Sequence, residues 1–199
     1  MTTTRQASTR ARILTAAVEV IAGHGVSGAT TKRIAASAGC SEALIYKHFT
    51  GKEELFLAVI LDVMPGLAHA LDRLRTDLDE RPLADALTAF AESAVEFYRQ
   101  AAPIASGLLT DPALLAAFRS MLAVRQAGPH IPIAVLAGIL RAQQAAGRIR
   151  AGADCDGAAA LLMGACYQRA DHGLLVELPT EPAGFARSAV SALLTGLSP

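Results

Sequence analysis

Apolar residues recur at spacings of three and four along almost the whole chain, and this periodicity restricts the fold more than any other feature. In the first such segment, near residues 9–23, one helical face carries Leu14, Ala17, Val18 and Ile21. Runs that alternate apolar and polar residues are rare, β-branched runs are short, and alanine is abundant. The pattern therefore predicts an all-α protein of about nine or ten helices.

Two short helices separated by a tight turn are predicted after the glycine-rich end of the first helix. The first covers about 31–38 and begins at a threonine cap, and the second covers about 42–48 and is capped by Ser41. Gly39 lies between them and suits the left-handed conformation of a short turn. This arrangement is typical of a helix-turn-helix, which predicts that the second short helix enters the major groove of DNA.

The remainder of the chain is predicted to be helical, with prolines near the helix starts. A long helix is expected from Lys52, and Pro65-Gly66 is expected to break or kink it. The later helices are predicted near 82–100, 102–109, 112–127, 130–146, 155–176 and 182–197. Because no flexible linker follows the helix-turn-helix, we expect a domain at 1–54 that runs directly into a helical body at 55–199.

Positive charge is concentrated in the N-terminal part of a chain whose net charge is zero. Residues 1–54 carry seven basic and four acidic side chains, and the remaining residues carry eleven basic and fourteen acidic ones. All the lysines of the protein, Lys32, Lys47 and Lys52, fall within this N-terminal part. A local basic site on a neutral or acidic body favours a discrete DNA-binding module over a protein that coats nucleic acid.

The composition is unusually apolar, with 52% hydrophobic and only 18% charged residues. This surplus predicts an internal cavity or a subunit interface. The most apolar stretches, Leu55–Leu61, Ile131–Leu140 and Ala158–Cys166, are each shorter than a bilayer requires. The N-terminus is polar and basic and has no apolar signal core. We therefore expect a soluble, cytoplasmic protein that makes no membrane contact.

Motifs of catalysis and metal binding are not found in the sequence. The three cysteines, Cys40, Cys155 and Cys166, lack the CxxC spacing of a zinc site. No HExxH motif, P-loop, nucleophile elbow or pair of catalytic carboxylates occurs either. We therefore predict no cofactor, no metal and no catalytic residue.

The helix-turn-helix segment resembles the TetR family of transcriptional regulators. The residues that carry the resemblance are 30–35 (TTKRIA), 38–41 (AGCS) and 44–55 (LIYKHFTGKEEL), within a stretch of about 10–60 that follows the family's order and spacing. This resemblance implies a homodimer that binds a pseudo-palindromic double-stranded DNA operator. It also implies a repressor that is released from its operator by a small-molecule effector.

Eleven residues receive a DNA-contact role from this resemblance. Those expected near bases are Lys32, Glu42, Ala43, Leu44 and Lys47. Those expected at phosphates are Thr30, Thr31, Ser41, Tyr46, His48 and Lys52. An acid such as Glu42 belongs near DNA only where it accepts from a cytosine amine. The alternatives left open are capping for Thr30 and Ser41, packing for Tyr46 and His48, and first-turn helix stabilisation for Glu42.

The body at 55–199 is expected to hold the dimer interface and the effector pocket. By the resemblance, the dimer forms through the helices at 130–146 and 155–176, with Val135, Ile139, Ala142, Leu161, Leu162 and Ala165 at the interface. Bulky apolar residues are the pocket candidates, and as a set they suggest an apolar or aromatic effector: Met64, Leu67, Phe90, Phe97, Tyr98, Phe118, Met121, Met163 and Tyr167. The alternative for each pocket residue is an ordinary place in the core.

Three other functions compete with a sequence-specific regulator. A sequence-tolerant, architectural DNA-binding protein is disfavoured by the zero net charge. A helical interaction module would keep the fold without using the DNA site. An enzyme is the least supported alternative, because the sequence offers no catalytic constellation.

Overall fold

The computed structural model of the protein describes residues 2–63 and 65–197 (for residues 2–8, 27, 62 and 63, the backbone only). Within this part of the chain there are ten helices and no strand, which confirms the predicted all-α class. The helices are α1 (Thr2–Gly28), α2 (Thr31–Ser37), α3 (Glu42–His48), α4 (Lys52–Val63), α5 (Pro65–Glu80), α6 (Leu83–Thr110), α7 (Pro112–Val124), α8 (His130–Ala145), α9 (Cys155–Leu175) and α10 (Pro182–Thr195).

The chain divides into two compact units. Unit 1 comprises Met1–Met64 and Gln100–Gln126, and it holds α1–α4, the last part of α6 and α7. In it, α1 packs against α2 and α4, α2 packs against α3, and α4 packs against α7. The largest fully buried side chains of this unit are Ile13, Ile21, Ile34, Ile45, Phe49, Leu55 and Phe56.

Unit 2 comprises Pro65–Arg99 and Ala127–Pro199, and it holds α5, most of α6, α8, α9 and α10. In this unit α8 packs along α9, α10 packs against α9, and α5 packs against α8. The largest fully buried side chains of the unit are Leu74, Leu87, Leu136, Leu140 and Ile149.

This division differs from the domain boundary expected after residue 54. Leu55, Phe56 and Val59 on α4 are buried in the same core as the helix-turn-helix, so α4 completes unit 1. Residues 100–126 join unit 1 as well, although they lie far away in the sequence. The continuous run from the DNA-binding segment into α4 was predicted, but its place in the N-terminal core was not.

Two helix boundaries test the sequence reasoning. The predicted interruption at Pro65 is not tested, because Met64, between α4 and α5, lies outside the described residues. Separate helices at 82–100 and 102–109 were wrong, since α6 continues through Pro103. The first helix begins at Thr2, earlier than expected, and Gly25 interrupts it with a φ of 68°.

The continuation of α6 past Pro103 has a physical reason. Proline removes one backbone N–H and its ring crowds the preceding turn, which usually ends a helix. Here Ala102, Ile104 and Leu108 are buried, so continuing the helix keeps an apolar face in the core. Burial of this face offsets the lost hydrogen bond.

Two helical stretches are long and apolar enough to cross a membrane by length and composition alone. They are 52–80 and the strongly bent pair formed by α6 and α7, and both are longer than the apolar runs considered in the sequence. In the first stretch, 53% of the most apolar window is buried inside the protein. Core helices of globular proteins pass the same test, so this feature is weak support for a membrane span.

Candidate DNA interface

The helix-turn-helix forms where the sequence predicts it, because both short helices are capped and the turn contains a glycine. The Thr30 side chain accepts a hydrogen bond from the backbone N–H three residues later (3.2 Å), and Ser41 does the same for α3 (3.3 Å). Between the helices, Gly39 has a φ of 61°, and the next N–H donates to the carbonyl of Ala35 at 2.9 Å. The glycine thus allows the chain to reverse without a Cβ clash.

The inner face of the motif fixes how α3 is presented. Ile34 and Ala38 are buried beside Ile45 and Phe49 of the α3 segment, as the four-residue spacing of the last two predicts. The guanidinium carbon of Arg10, on α1, lies 5.2 Å from the centre of the Phe49 ring. With this face held in the core, the opposite face of α3 is exposed.

The eleven predicted DNA contacts lie on the accessible side of the motif, and none of them is buried. Seven are exposed: Thr30, Lys32, Ser41, Glu42, Ala43, Tyr46 and Lys47. Four are partly buried: Thr31, Leu44, His48 and Lys52. Their DNA roles remain predictions, and the capping roles of Thr30 and Ser41 are confirmed.

Three of these side chains form a polar chain between α2 and α3. The Thr31 hydroxyl donates to Oε1 of Glu42 in a short hydrogen bond, and the same hydroxyl oxygen lies 3.4 Å from the Tyr46 phenol oxygen. Glu42 and Tyr46 are four residues apart and therefore share one face of α3. The sequence analysis predicted a DNA contact for each of these residues but no contact among them. The packing of α2 on α3 brings the three side chains together.

The start of α4 is held by a carboxylate that the sequence reasoning missed. Glu54 accepts hydrogen bonds from the backbone N–H and the hydroxyl of Thr50, both at 2.6 Å. The pKa of Glu54 is lowered, first by the Thr50 hydroxyl, then by the backbone N–H, and also by the charge of Arg10. The signal was present in the sequence, because an acid in the first turn that reaches back to a preceding threonine is a capping arrangement.

Lys52 is placed at the first turn of α4, where the predicted phosphate site lies. Its Nζ is 5.2 Å from the centre of the Phe56 ring, and Phe56 is itself fully buried. This cation–π contact holds the ammonium group against the protein surface. The positive charge is therefore held along the first turn of α4, on the side of Phe56.

The predicted pocket residues do not form one set. Leu67, Phe90 and Met163 are buried in the core of unit 2. Phe118 and Met121 belong to unit 1, where Phe118 packs against that unit's own core, and the pocket role of both stays a prediction. Met64 lies outside the described residues.

An aromatic cluster on unit 2 contains the remaining three pocket candidates. The ring of Tyr98 contacts Phe97 and Tyr167 edge-on, at centre distances of 5.2 and 5.4 Å. Tyr98 is largely buried, and burial together with Cys166 and Tyr167 raises the pKa of its phenol to about 12. Tyr167 is half exposed, so the cluster extends from the core to the surface.

The predicted dimer residues are also divided by the structure. Leu161 is 69% exposed, Ala142 is exposed, and Val135 and Ala165 are partly buried. Ile139 and Leu162 are corrected, because they lie in the core of their own chain. Both side chains are buried in the core of unit 2, at 6% and 2% exposure, so little of either is left for a partner to cover.

The cysteines and acidic residues show no sign of a metal centre. All three cysteines are free thiols, and burial raises the pKa of Cys166 to about 12. Within 2–63 and 65–197, no group of three or more histidine, cysteine or acidic side chains is placed to hold a metal ion.

Residues 13–59 match the family described as bacterial regulatory proteins, tetR family. A relative, the HTH-type transcriptional repressor SCO4008 of Streptomyces coelicolor, is 46% identical over 61 residues, which are 31% of this chain and 32% of the relative. The chain thus matches about a third of the length of this relative.

Solved structures resemble the fold over nearly the whole chain. A chain from Mesorhizobium loti, described as a TetR-family transcriptional regulator, gives a TM-score of 0.76 with 21% identity over 98% of this chain and 99% of its own. FadR of Bacillus subtilis, solved with stearoyl-CoA, gives 0.67 with 21% identity over 93% and 97%. At this identity the likeness concerns the fold alone. The match at residues 13–59 lies on the helix-turn-helix, so this segment is similar to the corresponding segment of the tetR family of bacterial regulatory proteins.

Proposed function

We propose that the protein is a sequence-specific transcriptional regulator that binds a pseudo-palindromic DNA operator as a homodimer. The observation that carries the proposal is the helix-turn-helix itself. It is capped at both short helices, and none of its eleven predicted DNA-facing side chains is buried. The regulator acts as a repressor in this proposal, in line with the printed name of the SCO4008 relative.

Binding to selected DNA tests the first part of the proposal. Sequences enriched from a random duplex pool are assayed with the wild type, Lys47→Ala, Lys52→Ala and the control Arg187→Ala, an exposed residue on α10. Lys52→Ala, which removes a predicted phosphate contact, should weaken binding and lower the slope of log affinity against log salt by about 0.9, and Lys47→Ala should weaken binding to the enriched site. The proposal is contradicted if all variants bind the enriched site with equal affinity, or if the wild type enriches no site.

The proposed dimer uses the exposed faces of α8 and α9. Leu161 and Leu175 are 69% and 76% exposed, and they lie fourteen residues apart on the same side of α9. Between them, Gly164 has no heavy atom within 4 Å of an added Cβ, and Gly138 on α8 is equally open. Small residues between exposed leucines allow a second helix pair to approach closely.

A charge placed in this face tests the dimer. Leu161→Glu should produce monomers in sedimentation at micromolar concentration, because a carboxylate would be desolvated at the interface. The control Leu109→Glu changes a leucine that is 74% exposed on α6 and belongs to unit 1. A monomeric wild type, or dimers in both variants, would contradict this part of the proposal.

The proposed effector is a small apolar or aromatic molecule bound by unit 2. The aromatic cluster of Phe97, Tyr98 and Tyr167 supports this class, because edge-on rings offer apolar surface and two phenols for orientation. Stearoyl-CoA, present in the FadR structure of similar fold, is a first compound for a thermal-shift screen. Compounds that raise the melting temperature are then assayed for operator release, with Tyr98→Phe as the matched variant. If no apolar or aromatic compound releases the protein from its operator, the proposed sensing role is wrong and the proposed DNA-binding role is unaffected.

A cytoplasmic location follows for a protein that acts on chromosomal DNA, and we propose it on that ground. Catalysis is not part of the proposal, because the family match and the named relative point to regulation.

A further inference from the structure

The polar chain formed by Thr31, Glu42 and Tyr46 has a fixed hydrogen-bond direction. A threonine hydroxyl has one proton, and here that proton goes to the Glu42 carboxylate, which can only accept. The Thr31 oxygen is then left as an acceptor, so the Tyr46 phenol donates its own single proton to it across 3.4 Å. The order of donation is therefore Tyr46 to Thr31 to Glu42.

This direction decides what the recognition helix presents to a ligand. The phenol proton of Tyr46 is directed to Thr31, so the phenol oxygen can only accept a hydrogen bond from a ligand. The second carboxylate oxygen of Glu42 can also only accept. Both side chains are exposed, with Tyr46 at 54%, and both lie on one face of α3. The face is thus an acceptor surface, which repels the acceptor oxygens of phosphate.

The four bases present different hydrogen-bond donors and acceptors in the major groove. Guanine shows two acceptors, thymine shows one acceptor and a methyl group, and adenine shows a donor beside an acceptor. Cytosine alone shows an amino donor with no acceptor on the same base. Resting on the proposed DNA-binding function, we propose that Glu42 and Tyr46 together read the N4 amino group of a cytosine, with Thr31 as the positioning residue. Tyr46 is in this reading a base contact, in place of the phosphate contact expected from the sequence.

The test is selection from a random duplex pool, followed by affinity measurements on the enriched site and on its three single-base replacements at each position. The wild type should favour cytosine at one position of each half-site. Glu42→Gln should reduce that preference by about tenfold, because the amide can also donate to a guanine or thymine oxygen. Thr31→Val and Tyr46→Phe should reduce it by smaller factors at the same position.

Glu53→Gln is the matched control for charge. Glu53 is an exposed acid in the first turn of α4 and takes no part in the polar chain. Both acid variants should bind all DNA somewhat more tightly, because each removes one negative charge near phosphates. Of these two acid variants, only Glu42→Gln should change the base preference. Far-UV circular dichroism checks that each variant keeps its helical fold.

Several results would overturn the inference. An unchanged base preference in Glu42→Gln would show that the carboxylate reads no base. A Tyr46→Phe variant that binds every sequence more weakly, by one common factor, would identify the phenol as a phosphate donor. If the wild-type protein enriches a site from the DNA pool, the proposed function stands in either case. If it enriches none, the proposed function and this inference are both overturned.

Discussion

Gly107 is the position where a single methyl group should have the largest effect on unit 1. A Cβ built at this glycine would lie 1.9 Å from Cγ2 and 2.2 Å from Cβ of Val26. Val26 is buried, and it follows the interruption of α1 at Gly25. Since carbon atoms in contact are normally about 3.5–4.0 Å apart, rotation of the valine side chain cannot remove the overlap with its own Cβ.

Two opposing effects determine the free-energy change for Gly107→Ala. Alanine is favoured over glycine within a helix by about 0.8–1.0 kcal/mol. Overpacking of a buried site typically costs about 1–3 kcal/mol, and the overlap here requires a backbone shift, which places the cost at or above the upper end. We therefore expect a net loss of about 2 kcal/mol in the free energy of unfolding.

Urea unfolding followed by circular dichroism measures this change. The matched control is Gly23→Ala in the same unit, where an added Cβ has no heavy atom within 4 Å. This variant should gain about 0.5–1 kcal/mol, because only the helix preference acts. If Gly107→Ala is as stable as the wild type or more stable, the close approach between α6 and the end of α1 is refuted.

Three further predictions concern a helix cap, a carboxylate and the thiols. Asp111→Ala should lower stability by about 1 kcal/mol in urea unfolding, because the Asp111 side chain accepts the N–H hydrogen bond that caps α7 at 3.0 Å. The folded-state pKa of Glu54 lies below its usual 4.5, so its carboxylate stabilises the fold above that pH, and the contribution is lost as the pH falls through the lowered pKa. Thr50→Val removes the hydroxyl donor and should therefore flatten the loss of stability on acidification, measured by unfolding between about pH 3 and 6, and an unchanged curve would rule out the Thr50 hydroxyl as its main cause. Cys40 should be the thiol that reacts fastest with a disulfide reagent at about pH 8, because it is partly exposed, whereas burial raises the pKa of Cys166 to about 12. Cys40→Ser should remove the fast phase, and its persistence would contradict the assignment.

The sequence by itself determined the helical class and the location of the DNA-binding segment. The turn at Gly39 and the caps at Thr30 and Ser41 depend on interactions within a few residues, and local interactions of this kind are encoded by local residue types. The buried positions of Ile45 and Phe49 followed from their spacing alone.

The tertiary structure decided the features that depend on contacts between distant segments. The sequence could not assign residues 100–126 to the N-terminal unit, because that choice depends on which core buries Ile104 and Leu108. Ile139 and Leu162 were assigned to a dimer interface and lie in the core, because an apolar stripe does not specify which surface covers it. The directed polar chain from Tyr46 through Thr31 to Glu42 likewise required α2 to pack on α3. Each residue type permits several hydrogen bonds, and only the position of its neighbours selects one of them.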